Sequence, residues 1–166
     1  MRIGIIGDGL TSLALAKALV NQDIYVEIIS DKKKQIIDQS RTIGITKSNI
    51  EFFNKNIINI DQITWKINKI KIYSEKIKQE TLLEFHNSKS ELFSMVRSLS
   101  LYNILDKSLK GSKFFNRRKK KRLINIEKKY DLLININFNN LISKKFFSKK
   151  LTKKYKSFAY TVILKH

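Results

Sequence analysis

Gly7, Gly9 and Ser12 stand at the junction of a short apolar run, Ile3-Gly4-Ile5-Ile6, with the longer apolar stretch from Leu13 to Val20. Residues of these types at this spacing can bind a phosphate. Glycines let the chain turn tightly and bring backbone up to a pyrophosphate, whose charge is then held by the free N–H groups and positive dipole end of the following helix. Ser12 occupies the place of the pattern's third glycine, so its hydroxymethyl group has to fit where helix and strand pack closely. An acid after the second strand would accept a hydrogen bond from an adenosine ribose; the position falls on Ser30, and Asp31 is one residue later. Asp8, inside the turn, reads as a surface residue, because its carboxylate would repel a phosphate.

Other chemistries find no support. There is no cysteine, which excludes disulfides, thiolate metal sites and thiol nucleophiles. His86 and His166 are the only histidines, and neither has a partner at metal-ligand spacing, so no metal site is expected. No Ser-His-Asp set or carboxylate pair suggests itself, hydrolase chemistry has no basis, and no catalytic side chain is assigned.

The elements that must position the glycine turn follow from periodicity. Arg2 to Ile6 reads as a buried parallel strand, Leu10 to Asn21 as a helix and Ile24-Tyr25-Val26-Glu27-Ile28-Ile29 as a second strand. This order predicts a Rossmann βαβ unit; the alternative is a strand-turn-helix of some other α/β domain. Further on, Ser40 to Ile45 is extended, and Thr46 or Ser48 caps a helix through Phe53. Ile63 to Tyr73 alternates as one half-buried strand with a bulge at Lys69. Strands at Thr81 to His86 and Leu92 to Val96 lead to a helix capped by Ser98, with Leu101, Ile104, Leu105 and Leu109 on one face. A β-rich run from Lys129 to Ile134, an irregular Asn-rich stretch and a last strand, Phe158 to Leu164, complete the chain. The fold class is α/β, a Rossmann-like parallel sheet with a β-meander excursion, and residues 1–166 form a single, partial domain.

The formal charge is +20, from 34 basic and 14 acidic side chains. Such a balance suggests a polyanion partner, nucleic acid or anionic lipid. A second cause competes: five glycines, no proline and an abundance of Lys, Ile, Asn and Phe mark AT-rich coding sequence. Lysine also far outnumbers arginine, the better bidentate phosphate ligand, so nucleic acid is not the expected partner. The one concentrated basic block, Arg117 to Arg122, is expected in a solvated hairpin or loop, with weak attraction to an anionic membrane left open. No apolar run reaches the ~20 residues of a membrane span, and a cytoplasmic protein, in peripheral contact with membrane at most, is expected.

The motif order resembles the N-terminal part of the flavin-dependent aromatic-ring hydroxylases, in particular the ubiquinone-biosynthesis hydroxylases of polyprenylated phenols. Gly7-x-Gly9 matches the ADP-binding fingerprint, and Ser40-Arg41-Thr42-Ile43-Gly44-Ile45 is similar to the family's "GRAIAL" stretch, whose arginine contacts the flavin. Phe93 to Leu101 lies where the family has a strand entering a helix. Arg97 in that stretch lies where a side chain could face the isoalloxazine, or form a plain salt bridge. Tyr130-Asp131-Leu132-Leu133-Ile134-Asn135-Ile136-Asn137-Phe138-Asn139-Asn140 aligns with "ADLVVGADGANS". The resemblance implies FAD as cofactor, NAD(P)H as reductant, and Gly7, Gly9, Ser12, Asp31, Arg41 and Asn137 as cofactor-binding residues.

Departures from the family pattern temper that expectation. Asn137 and Phe138 replace the Asp-Gly pair on the flavin side, and a benzyl group obstructs the approach of backbone to a ligand. His166 precedes the family's second Gly-Asp motif, so less than half of a family enzyme is covered. The expectation is therefore a truncated or diverged FAD-dependent monooxygenase with weak or residual FAD binding. Its partners would be a separately encoded C-terminal half or other quinone-biosynthesis proteins. The alternative is a non-catalytic Rossmann remnant that serves as a binding or assembly partner.

Overall fold

The computed structural model describes residues 1–30, 40–74, 80–87, 91–119, 126–137, 140–146, 149, 151–158 and 160. In chain order the elements are β1 (Arg2–Ile6), α1 (Leu10–Val20), β2 (Tyr25–Ser30), β3 (Thr42–Ile45), α2 (Lys47–Asn56), β4 (Thr64–Ile67), β5 (Lys69–Tyr73), β6 (Thr81–His86), β7 (Phe93–Arg97), α3 (Ser98–Lys110), β8 (Phe115–Lys119), β9 (Leu132–Asn135) and α4 (Leu141–Phe146). Single 3₁₀ turns precede β4 and β9.

β1 and β2 read as continuous apolar runs because both faces of each strand are covered. They pair in parallel, Ile3 opposite Val26 and Ile5 opposite Ile28, and the four-stranded sheet runs β8-β2-β1-β9, parallel throughout. On one face Ile3, Ile5, Val26 and Ile28 pack with Leu13, Ala16 and Val20 of α1, and with Leu101, Leu105 and Leu109 of α3. On the other, Ile6 and Ile29 pack with Ile126 and Tyr130. The expected Rossmann-like parallel sheet is present, and β9 returns to it beside β1.

The second face of the sheet has a polar centre. Glu27 is fully buried in β2, where it accepts hydrogen bonds from Asn116 Nδ2 of β8 at 2.8 Å and from the Tyr130 hydroxyl. Arg2 Nη2 stands 3.6 Å from the same carboxylate and Arg118 Nε 4.0 Å. Gly4 admits this arrangement: a Cβ there would lie 2.8 Å from both the Tyr130 ring and Leu133 Cδ1. The start of β9 is tied to β1 as well, with Arg2 N donating to Asp131 Oδ2 at 2.6 Å and Asp131 N to Arg2 O at 3.0 Å.

Between β2 and β8 lies the β excursion. β3 and β4 flank β7 in an antiparallel sheet, and β5 and β6 form a separate antiparallel ribbon. Thr46 caps α2, its hydroxyl accepting from Asn49 N at 3.4 Å, and the helix runs to Asn56 rather than Phe53.

Several local expectations are corrected. Ile63 to Tyr73 is not one bulged strand: it breaks at Asn68 into β4 and β5, which belong to different sheets, and the irregularity in β5 lies at Ile72/Tyr73. Ser98 is the first residue of α3 rather than its cap; Arg97 holds the cap position, with no side-chain hydrogen bond there. The residues before Leu132 make a 3₁₀ turn, and the Asn-rich stretch leads into α4. Arg117, Arg118 and Lys119 lie in an edge strand of the main sheet, not in a solvated loop: Arg117 meets Asp8 and Asp106 on one face, and Asn116 of the same strand bonds Glu27 on the other. Asp31, Phe138, residues 120–122 and most of the expected strand from Phe158 to Leu164 lie outside the described residues. Among the described residues no helix is long and apolar enough to cross a membrane.

Candidate functional site

The turn between β1 and α1 carries the one left-handed glycine of the site, Gly7 at φ 122°. Its N–H donates to Ile29 O at 3.0 Å, which fixes the turn against the end of β2. A Cβ at Gly7 would lie 3.3 Å from Ser12 Oγ, 3.6 Å from Ile136 Cβ and 3.8 Å from Asn137 N. Gly7, Ser12 and Asn137 therefore meet at one point, at the carboxyl ends of β1 and β9. This is the edge at which open α/β sheets take their ligands.

Gly9 is the N-cap of α1, in extended backbone (φ −99°, ψ −179°). It caps nothing with a side chain, and the first turn of α1 holds no acid. The orphan N–H groups and the dipole of the helix end are thus left for an anion. Ser12, in that first turn, is fully buried, and its Oγ has no hydrogen-bond partner among the described residues. A buried hydroxyl without a partner is costly, which marks the inside of the turn as a place where a ligand oxygen would be favourable.

The loop after β9 is shaped by its asparagines. Asn135 Nδ2 donates to Ser143 Oγ at 2.8 Å, Asn140 Nδ2 to Asn135 Oδ1 at 2.7 Å, and Asn137 N to Asn135 Oδ1 at 3.2 Å. Ser143 Oγ in turn donates to Asn137 O at 2.9 Å, while Ile136 N donates to Ile6 O at 3.0 Å. Local side-chain to backbone bonds of this kind are why Asn and Ser favour turns. They hold the backbone of residue 137 against the glycine turn.

Asp8 is not the surface residue expected from the sequence. Its side chain is 8% exposed and lies 3.3 Å from Arg117 Nη2, and the same nitrogen is 2.8 Å from Asp106 Oδ1 of α3. Lys110 Nζ is 2.7 Å from Asp106 Oδ2. Burial pushes the Asp8 carboxyl above its ordinary value, Arg117 opposes this, and Asp106 adds to it. Burial also acts upward on Asp106, but its bond to Lys110 and the positive charge of Arg117 prevail and hold that carboxyl low. Sequence spacing could not pair residues 8, 106 and 117, since only the sheet order brings β8 alongside the turn's neighbourhood.

Other sequence candidates are not drawn to this point. Arg41 is exposed ahead of β3, with its carbonyl accepting from Ser98 N at 2.9 Å. Arg97 is exposed at the head of α3, and His86 is exposed at the end of β6. No three His, Cys, Asp or Glu residues gather at metal-binding distance among the described residues.

No protein-family model matches the sequence, and no curated protein matches it either. Solved structures do. PqsL of Pseudomonas aeruginosa is 14% identical with a TM-score of 0.57, over 70% of this chain and 32% of its own. The p-nitrophenol 4-monooxygenase PnpA of Pseudomonas putida is 10% identical with a TM-score of 0.58, over 70% of this chain and 31% of its own. The flavin-dependent monooxygenase PieE, solved with FAD and substrate, is 12% identical with a TM-score of 0.53, over 72% of this chain and 24% of its own. The likeness is one of fold, and the chain spans a third or less of each of these proteins.

Proposed function

We propose that the chain binds the adenosine diphosphate half of FAD. On this reading it forms the nucleotide-binding portion of a flavin-dependent monooxygenase that hydroxylates a polyprenylated phenol in ubiquinone biosynthesis. The observation that carries the reading is the meeting of Gly7, the unpartnered Ser12 hydroxyl and the Asn137 backbone at the uncapped end of α1. The fold shared with flavin monooxygenases supports FAD as the nucleotide, and the resemblance of Ser40 to Ile45 and of Tyr130 to Asn140 to family motifs supports the phenol substrate. When bound, FAD supplies the oxygen chemistry and NAD(P)H the reducing equivalents; the protein binds, orients and shields. Here Gly7 and Gly9 admit the pyrophosphate, the first-turn N–H groups and Ser12 Oγ hydrogen-bond it, and Arg41 and Asn137 would face the flavin side. Sequence beyond that matched in the solved structures would complete the substrate side.

Affinity is expected to be weak, because Asn137 cannot accept the charge-assisted bond an aspartate would. Such a loss costs about 1.5–3 kcal/mol, roughly ten- to a hundredfold. Titration with FAD, followed by flavin fluorescence and with ADP as competitor, tests the reading. Gly9→Val is the informative variant: its backbone angles suit any residue, so the fold should survive while the side chain blocks the anion. Saturable binding by the natural chain, lost in Gly9→Val at unchanged melting temperature, is the expected result. Absence of FAD and ADP binding by the natural chain would refute it.

A further inference from the structure

A carboxylate between the two glycines of a phosphate-binding turn opposes the anion that the turn is shaped to hold. Asp8 is in that position, yet its side chain is withdrawn from solvent and set against Arg117. Arg117 pairs with Ile28 across β2 and β8, so its side chain lies on the α1/α3 face of the sheet and reaches both Asp8 and Asp106. Nη2 and Nε of Arg117 have no hydrogen-bond partner among the described residues. The contact with Asp8 is therefore ionic, and its contribution is charge. With Lys110 on Asp106, two carboxylates and two cations balance to zero beside the turn.

We propose that Arg117 is a positioning residue of the nucleotide-phosphate site: it holds the Asp8 carboxylate toward α3 and neutralises it, so that the end of α1 attracts a pyrophosphate. The inference rests on the reading that this turn binds a nucleotide diphosphate. Burial, which pushes the Asp8 carboxyl up, shows that the position tolerates an uncompensated negative charge poorly. Removing Arg117 would leave the cluster one negative charge in excess at the anion site, whereas removing Asp8 would leave one positive charge there.

The test uses the full chain, with FAD and separately ADP as probes, in four forms: natural, Arg117→Gln, Asp8→Asn and the double variant. Arg117→Gln is expected to weaken binding roughly tenfold at low salt, and Asp8→Asn in the same chain to restore it to within about threefold. Asp8→Asn alone should bind at least as tightly as the natural chain. A residue that merely ties β8 to α3 gives a different pattern, with the double variant as weak as Arg117→Gln. That pattern overturns the inference, as does unaltered binding by Arg117→Gln. If Arg117→Gln does not fold, as judged by circular dichroism, Asp8→Asn decides: weaker binding than natural overturns the inference, and tighter binding supports it. No binding by the natural chain overturns the nucleotide reading and this inference with it, a result visible before any substitution is made.

Discussion

Glu27 is a carboxylate at the centre of a parallel sheet, a place that water cannot reach and that hydrophobic side chains would fill more simply. It is tolerated because Asn116 and Tyr130 both donate to it and Arg2 lies close by. The cost falls on whoever removes a donor. Tyr130→Phe leaves one acceptor of a buried carboxylate unmet, which costs about 1–3 kcal/mol. The hydroxyl also imposes a pH signature: burial, helped by the bond to Glu27, pushes the Tyr130 phenol from 10.0 up to about 12. A group raised in the folded state stabilises fully below its unfolded value and loses that contribution as pH rises through the folded one. Urea unfolding of the two proteins should therefore differ most at neutral pH and converge between pH 10.0 and about 12. Tyr102, whose phenol burial also raises, is present in both and drops out of the difference. Stability curves that stay parallel through that range would show that Tyr130 does not carry the effect. None of this was legible in the sequence, where Glu27 is one polar residue inside an apolar run and its two hydrogen-bond donors lie 89 and 103 residues away.

Elements were legible where the pattern is local and hidden where partners are distant. The β1-α1-β2 unit and the glycine turn declare themselves through contiguous apolar runs and closely spaced glycines, and Thr46 through its capping chemistry. β8 could not be read this way, because Phe-Asn-Arg-Arg-Lys has no apolar alternation. It is a strand because each face of the sheet offers acids: Asp8 and Asp106 take Arg117, and Glu27 takes Asn116. The break at Asn68 was equally hidden, since a shift in alternation looks the same whether a strand bulges or changes sheet. Half the candidate site followed from the turn, but the approach of Asn137 to Gly7 depends on β9 lying next to β1, which only topology supplies. The account of β8 makes a ranking that can be checked by urea unfolding. Asn116→Ala should cost about 1–3 kcal/mol by depriving a buried carboxylate of its donor. Arg118→Ala removes a contact of 4.0 Å from a half-exposed side chain and should cost no more than about 0.5 kcal/mol. A larger loss for Arg118→Ala would mean that ion pairing rather than the Asn116 bond holds the edge strand.

Across the whole molecule, the charge of +20 sets self-repulsion against ion pairing. The described pairs are of two kinds. Those at the surface, such as Lys69 and Lys71 with Glu84, contribute little and are weakened by salt. Those around Glu27, Asp8 and Asp106 are partly or wholly buried and are screened much less. Repulsion between solvent-exposed cations extends at low salt over a Debye length of about 30 Å, comparable to the size of a domain. Added salt thus removes more repulsion than attraction. The melting temperature is expected to rise as sodium chloride goes from about 0.01 M to about 0.5 M, most of the rise coming before about 0.15 M, where screening reaches about 8 Å. A fall over the same range would mean that exposed ion pairs, not the buried clusters, carry the electrostatic stability. The same titration bears on the basic strand: with Arg117 and Arg118 set against carboxylates, substituting them should leave the salt response almost unaltered.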